Sequence, residues 1–416
     1  MKKANTIKEI YNIFDPQQYL NSTTKDYYVN VYEDFTDDLS SRLELSDTQE
    51  TIFVAGQSGN GKSSALQLFA TKYPDLSDLY DIKILNARDI FDRSNIDISD
   101  VLLMMAFTII EDNEEFKKEF FALLENMKKE KLKELQTIKE TTTLDMKSEN
   151  GSIDSGFGIN LGVLKIGADF KDIFKVDNQD KTTIRELVTL KKKDFIQKVN
   201  EIIRKYTREI LKNEKRLLLI IDDIEKIRDS DDIFTQEINT ILQIECSKII
   251  TMPIHLKRGK TFAGYDAKEI SFKLKTKSQE IIENNVDLLK EIINARLDDI
   301  NIIDEDAKRE IVLKSGGNLR QLIKLVKESA LVSHKNKASN ISLFDVEQAI
   351  FTLKRDYSSA TTEIKDFLDY IKEFKNPENY EEDTIAKLKI ATNESLIFAY
   401  FNGEIWYDLN PIISDD

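Results

Sequence analysis

The sequence predicts an α/β fold built on a parallel sheet, and three observations carry that expectation. A short β-prone run, Thr51–Ala55, leads into a glycine-rich turn and then into helical apolar spacing at Leu66, Leu68 and Phe69. Leu217-Leu218-Leu219-Ile220-Ile221 is apolar without alternation, as a central strand covered on both faces must be. From Gln279 onward the apolar period is helical, which places a helical segment behind the sheet.

Composition narrows the classes of function. The chain has 416 residues, with 75 acidic and 60 basic side chains and a net charge of −15. That length suffices for two or three domains with a real core. The negative balance leaves no global positive field for nucleic acid, so a nucleic-acid partner is disfavoured and confined to a local patch. A single cysteine, Cys246, excludes an intramolecular disulfide, and two histidines, His255 and His334, leave no Cys/His zinc site. A reducing cytoplasm is the expected compartment. The opening Met1-Lys2-Lys3-Ala4-Asn5 lacks the apolar core of a signal peptide, and the longest apolar run, Val101–Ile110, falls far below the ~20 residues of a membrane span, so no membrane association is expected.

The glycine-rich turn, Gly56-Gln57-Ser58-Gly59-Asn60-Gly61-Lys62-Ser63-Ser64, has the spacing G-x-x-x-x-G-K-S. Its glycines let the backbone curl so that N–H groups converge on phosphates. Lys62 is placed to reach the β- and γ-phosphates, and the Ser63 hydroxyl to serve as a ligand of Mg²⁺. ATP and Mg²⁺ are the expected cofactors. Residues 1–48, ahead of this turn, form an acidic arm bearing Tyr11, Phe14, Tyr19, Tyr27, Tyr28, Tyr32 and Phe35. One of these rings is a candidate to stack on adenine, although packing onto the core is the more ordinary role for each.

Residues 49–275 read as the nucleotide-binding core. After the turn come a strand at Asp81–Asn86 and a helix at Ile98–Asp112 with a Ser99-Asp100 cap signal. Residues 113–187 read as an insertion. It comprises a charge-dense, projecting helix over Glu114–Glu140 and a strand pattern at 150–170, where Phe157, Ile159, Leu161 and Val163 alternate with glycines and Asn160. An inserted hairpin and a partner surface are both open readings. A long helix is expected from Thr182 to Asn213, with Lys191-Lys192-Lys193 on a solvated face.

The run Leu217–Ile221 ends in Asp222-Asp223-Ile224-Glu225, at the carboxyl end of a strand, where open α/β sheets bind ligands. Asp222 is the candidate to hold Mg²⁺ through water. Asp223 or Glu225 is the candidate to orient and deprotonate an attacking water. The next strand, Lys248–Pro253, leaves Thr251 at its end, facing the γ-phosphate or simply capping the strand. A basic loop follows, Leu256-Lys257-Arg258-Gly259-Lys260, then a strand at Glu269–Leu274.

Residues 276–338 read as a helical lid with helices at Gln279–Leu297, Asp304–Ser315 and Leu319–Val332. Gly316 or Gly317 ends the second in the left-handed conformation, Asn318 caps the third, and Arg320 points back towards the nucleotide. Residues 339–416 run from a helix start at Ser342, through a break at Asn376-Pro377, to a hairpin around Asn402-Gly403. Helices followed by a hairpin suggest a small winged-helix-like domain, and its acidic Glu378, Glu381, Glu382 and Asp383 favour protein over DNA as its partner.

With these motifs assembled, the chain resembles the AAA+ and related signal-transduction P-loop ATPases, in the branch near origin-recognition, KAP and STAND proteins. The resemblance rests on Gly56–Ser63 as Walker A, Ile220–Glu225 as Walker B, Thr251-Met252-Pro253 at the sensor 1 place and Gly316-Gly317-Asn318-Leu319-Arg320 at the sensor 2 place, and covers about residues 25 to 335. It implies ATP hydrolysis at subunit interfaces of a homo-oligomer and rearrangement of lid against core. It also implies an arginine given in trans, for which Arg258 is the only candidate between Met252 and Lys268. Two departures stand out: Asp223 occupies the place of the usual glutamate after the Mg²⁺ aspartate, and the 113–187 insertion is long. Some bacterial stand-alone ATPases of this type work in anti-phage defence beside a protein effector, and by analogy the resemblance suggests that role. The competing classes are a nucleotide-gated switch or scaffold with little hydrolysis, and a DNA loader or transposition-type ATPase.

Overall fold

The computed structural model describes residues 2–18, 20–91, 96–145, 171, 179–227, 230–258, 264–378, 380 and 383–414. Its strands are β1 (Thr51–Ala55), β2 (Tyr80–Asn86), β3 (Arg216–Asp222), β4 (Ser247–Met252), β5 (Ala267–Glu269), β6 (Ile397–Phe401) and β7 (Ile405–Leu409). The first five form one sheet in the order β2-β3-β4-β1-β5, and the last two a separate hairpin. The pairs β2 with β3, β3 with β4, and β1 with β5 are all parallel, as crossover connections through helices require. The α/β fold class expected from the sequence is therefore the observed one.

The chain divides into two compact units. One contains Ser46–Thr51 and Ser77–Ile250. Its core is the helix Ile98–Ile110, every residue of which is buried. Its cap lies earlier than the Ser99-Asp100 signal suggests: Asp97 accepts from Ser99 N–H, and the Asp100 carboxylate accepts from Asp97 N–H at 3.0 Å. Asp100 earns a second partner in Arg185, whose Nε lies 2.8 Å away, so a fully buried carboxylate is both capped and paired.

Two helical expectations change in this unit. The helix Glu114–Asp145 does not simply project: Phe116, Phe120, Leu123, Leu124 and Met127 are all buried. Their stripe meets the apolar stripe of the helix Lys192–Glu209, with Phe116 edge-on to Tyr206 at 5.3 Å and Phe120 at 6.5 Å from Phe195. The expected single helix over 182–213 is two, Gln179–Leu190 and Lys192–Glu209, because Lys191 leaves the helical region at φ −121° and ψ 34°. Lys191 and Lys192 pair with Glu130 and Glu237 instead of forming a wholly solvated basic face. The strand pattern at 150–170 lies outside the described residues.

The other unit contains Met1–Leu45, Ile52–Leu76 and Thr251–Asp416. Here β5 covers Ala267–Glu269, not the expected Glu269–Leu274. Its ladder to β1 closes when Ile270 N–H donates to Ala55 O at 2.8 Å. Beyond that point the Ile270 carbonyl accepts from the Asn60 side chain at 3.2 Å, which turns the chain out of the strand. The helices Glu283–Asn294, Glu305–Ser315 and Leu319–Lys335 follow, close to the expected spans. The N-terminal helix Ile7–Ile13 packs on Leu319–Lys335, and Ala4 exchanges backbone bonds of 2.8 Å with Arg296 and Asp298. Phe14, Tyr27 and Tyr32 are buried, so these rings of the arm serve packing.

The C-terminal part opens at the Ser342 capping box with Asp345, which starts the helix Leu343–Asp356. It ends in β6 and β7, antiparallel with Phe401 opposite Ile405. Gly403 takes φ +90° in the connecting turn, which a side chain would strain. Phe398, Tyr400 and Trp406 form a buried cluster, with Tyr400 and Trp406 stacked at 4.5 Å. Among the described residues no helix is long and apolar enough to cross a membrane.

Candidate functional site

The glycine-rich turn runs from the end of β1 to the helix that opens at Lys62. Gly59 and Gly61 sit at φ +90° and +81°, and both are closely overlain: a Cβ on Gly59 would lie 2.8 Å from Arg320 Cβ, and one on Gly61 2.8 Å from Leu319 Cδ1. The residues that press on these two glycines are thus Asn318, Leu319 and Arg320, of the stretch Gly316–Arg320.

The carbonyls of the turn are anchored one by one. Ser58 O accepts from Asn318 Nδ2 at 2.8 Å, Gly59 O from Arg320 N–H at 3.0 Å, and Asn60 O from the buried Tyr32 hydroxyl. In a planar trans peptide the following N–H points the opposite way, so the amides of Gly59 and Gly61 face away from these partners. The Asn60 N–H closes the turn onto Gln57 O at 3.2 Å. Lys62, only 3% exposed, donates from Nζ to Gly56 O at 2.6 Å and Gln57 O at 3.4 Å, so its ammonium is enclosed by the turn's own carbonyls. Ser63 is buried, and Ser64 Oγ accepts from Leu20 N–H of the arm at 3.1 Å.

Asn318 is the junction of this assembly. Its Oδ1 caps the helix Leu319–Lys335 by accepting from Gln321 N–H at 3.0 Å, while Nδ2 also reaches Asn60 Oδ1 at 3.1 Å. Gly316 and Gly317, at φ +61° and +84°, supply the left-handed turn that brings it there. Arg320, expected to point back towards the nucleotide, donates from Nη1 to Ser58 Oγ at 2.7 Å. Gln57 reaches the other way. Its Nε2 donates to Ile397 O at 2.6 Å and Thr392 O at 3.1 Å, and its Oε1 accepts from Ala399 N–H at 3.1 Å.

The carboxylates belong to the other compact unit. Asp222 ends β3 and is fully buried, in register with Asn86 of β2. Asp223 follows at φ +67°, a conformation that Asp tolerates better than most residues, and its buried carboxylate is paired with Lys226. Glu225, half-buried, lies in the short helical turn Ile224–Lys226. The ion pair engages Asp223 within its own turn. Asn86, unmarked by any motif, caps the helix Ala87–Ile90 through Oδ1 to Arg88 N–H at 3.1 Å.

Thr251 lies at the end of β4 and is fully buried. Arg258 closes the turn Ile254–Arg258; Gly259 and Lys260 lie outside the described residues. The expected basic loop is therefore in part helical, and Lys257 is paired with Glu269. The hydroxyl of Ser63 and the carboxylate of Asp222 are the hard oxygen donors that suit Mg²⁺. Among the described residues no group of three or more His, Cys, Asp or Glu forms a metal cluster.

No protein-family model matches the sequence, and none of the curated proteins matches it. Among solved structures the chain is similar to the Cdc6p protein of Pyrobaculum aerophilum, at 12% identity and a TM-score of 0.41, over 96% of this chain and 94% of that one. Drosophila ORC bound to DNA is similar at 9% identity and a TM-score of 0.44, over 99% and 92%. The RuvB Holliday junction branch migration motor of Thermotoga maritima is similar at 10% identity and a TM-score of 0.36, over 81% and 76%. The fold class rests instead on the strand order and on the glycine-rich turn between β1 and its helix.

Proposed function

We propose that this protein is a Mg²⁺-dependent ATPase that uses ATP binding and hydrolysis to drive conformational change or assembly. The observation that carries the reading is the enclosure of the Gly56–Ser63 turn. Three of its carbonyls are held by Asn318, Arg320 and Tyr32, and Lys62 is buried among the carbonyls of Gly56 and Gln57. A backbone so fixed presents amides without reorganisation, which is how a phosphate-binding loop gains affinity.

In this reading Gly56, Gln57, Ser58, Gly59, Asn60, Gly61, Lys62, Ser63 and Ser64 cradle the phosphates, and Arg320 contacts them from the lid. Ser63 and Asp222 hold Mg²⁺, which shields phosphate charge when bound. Asp223 or Glu225 orients the attacking water, with Thr251 beside it, and Arg258 is given to the neighbouring subunit of a homo-oligomer. The arm, core, lid and C-terminal domain bounded at 48, 275 and 338 are part of the same proposal, as is a protein effector or regulator, in anti-phage defence, as the partner.

The test is turnover against protein concentration. Specific ATPase activity is expected to climb with concentration. Lys62→Ala is expected to lose ATP binding and Arg258→Ala to turn over at least ~10³-fold more slowly, with a mixture of the two recovering activity. Native ATP affinity in Lys62→Ala would refute the site. A rate per subunit independent of concentration in a demonstrated monomer would refute the trans arginine.

A further inference from the structure

We infer that Gln57 couples occupancy of the phosphate loop to the docking of the C-terminal hairpin, an inference that rests on the nucleotide reading above. A primary amide offers two N–H donors and one carbonyl acceptor, and Gln57, 3% exposed, uses all of them on the segment that carries β6. Its donation to Ile397 O and acceptance from Ala399 N–H are the two bonds that the N–H and C=O of one residue of a parallel neighbouring strand would make with the residues on either side of Phe398. The side chain therefore occupies the edge of β6 away from β7, as a short piece of third strand would.

The same strand grips the loop by a second route. The Phe398 ring lies against Gly316, where a Cβ would come within 2.5 Å of it, and the Tyr400 hydroxyl donates to Gly316 O at 2.9 Å. Gly316 opens the turn that delivers Asn318 and Arg320 to the carbonyls of Ser58 and Gly59. The hairpin thus holds the loop directly through Gln57 and indirectly through residues 316–320.

The coupling has a local cause. Lys62 Nζ donates to Gly56 O and Gln57 O, and an ammonium that turns to a phosphate redirects those donors. Of the two carbonyls released, one is that of the residue whose side chain anchors β6, and the other is its immediate neighbour's. A docked hairpin keeps the loop in the arrangement that receives phosphate, so by linkage phosphate binding strengthens docking to the same degree.

Hydrogen exchange at the amides of Ile397–Phe401 reads this directly, with a slowly hydrolysed ATP analogue and Mg²⁺ as the probe. In the native chain, saturation is expected to slow exchange there, most of all at Ala399. Gln57→Leu is expected to bind the analogue about tenfold more weakly, the loss of one or two net hydrogen bonds, and to show no slowing. Gln57→Leu that binds as the native chain does with the same protection would overturn the coupling. Should that variant fail to fold, the native chain alone decides: binding without altered exchange in β6 overturns the coupling and leaves the nucleotide reading standing. A native chain that binds no analogue ends both.

Discussion

Replacing Asn318 should separate the structural work of the junction between the glycine-rich turn and residues 316–320 into its parts. The side chain is 4% exposed, caps a 17-residue helix and donates to Ser58 O and Asn60 Oδ1. In Asn318→Ala the lost cap costs about 1 kcal/mol. The two lost donor contacts cost about 1 kcal/mol each, since Asn60 Oδ1 stays buried and Ser58 O partly so. The sum is about 3 kcal/mol, which at a urea slope of about 2 kcal/mol/M lowers the midpoint by about 1.5 M. Asn318→Ser keeps a good cap but is too short to reach the loop, so its expected loss is about 2 kcal/mol. The single tryptophan makes the assay specific: Trp406 is fully buried against Tyr400, whose hydroxyl holds Gly316 O, in the same compact unit. Urea unfolding followed by Trp406 fluorescence should rank native above Asn318→Ser above Asn318→Ala. Equal losses in the two variants would show that the cap contributes nothing, and no loss in either would refute the junction as a source of stability.

Two further outcomes follow from the carboxylates. If Asp223 activates the attacking water, Asp223→Asn, tolerated at φ +67°, is expected to bind ATP and retain it unhydrolysed; if Glu225 does, Glu225→Gln is expected to do so instead, and full activity in both variants would show that neither carboxylate is the base. At the hairpin, burial raises the pKa of Asp408, but Lys275 and Lys375 outweigh it and hold the group below the usual carboxylate range. A depressed folded pKa gives stability that is fully present above the unfolded value near 4 and is lost as pH falls through the folded one. Trp406-monitored stability should therefore drop below about pH 4, and Asp408→Asn should flatten that dependence; an unchanged acid slope in the variant would refute the assignment.

Features that depend on neighbours in the chain are legible from the residues alone. β1 is legible because a β-prone run must precede a turn whose glycines take positive φ, and β3 because a strand covered on both faces has no polar alternation. Gly316, Gly317 and Asn318 end one helix and cap the next as local chemistry dictates. The break at Lys191 has no such mark, since lysine is a good helix former and the chain on both sides keeps helical period. The alternation at 269–274 does not mark β5, because a three-residue strand owes its limits to its partner β1 and not to its own pattern.

What surrounds the loop follows from packing between segments far apart in the chain. Gln57 is a variable position in the G-x-x-x-x-G-K-S pattern, and its partners lie 335 to 342 residues away. Tyr32 is one ring among seven in the arm until the fold carries its hydroxyl to Asn60 O, 28 residues on. A motif records the atoms that a ligand requires, because those constrain residues close in sequence. The bonds that hold such a motif in shape come from wherever packing brings a donor or acceptor, and no spacing along the chain encodes them.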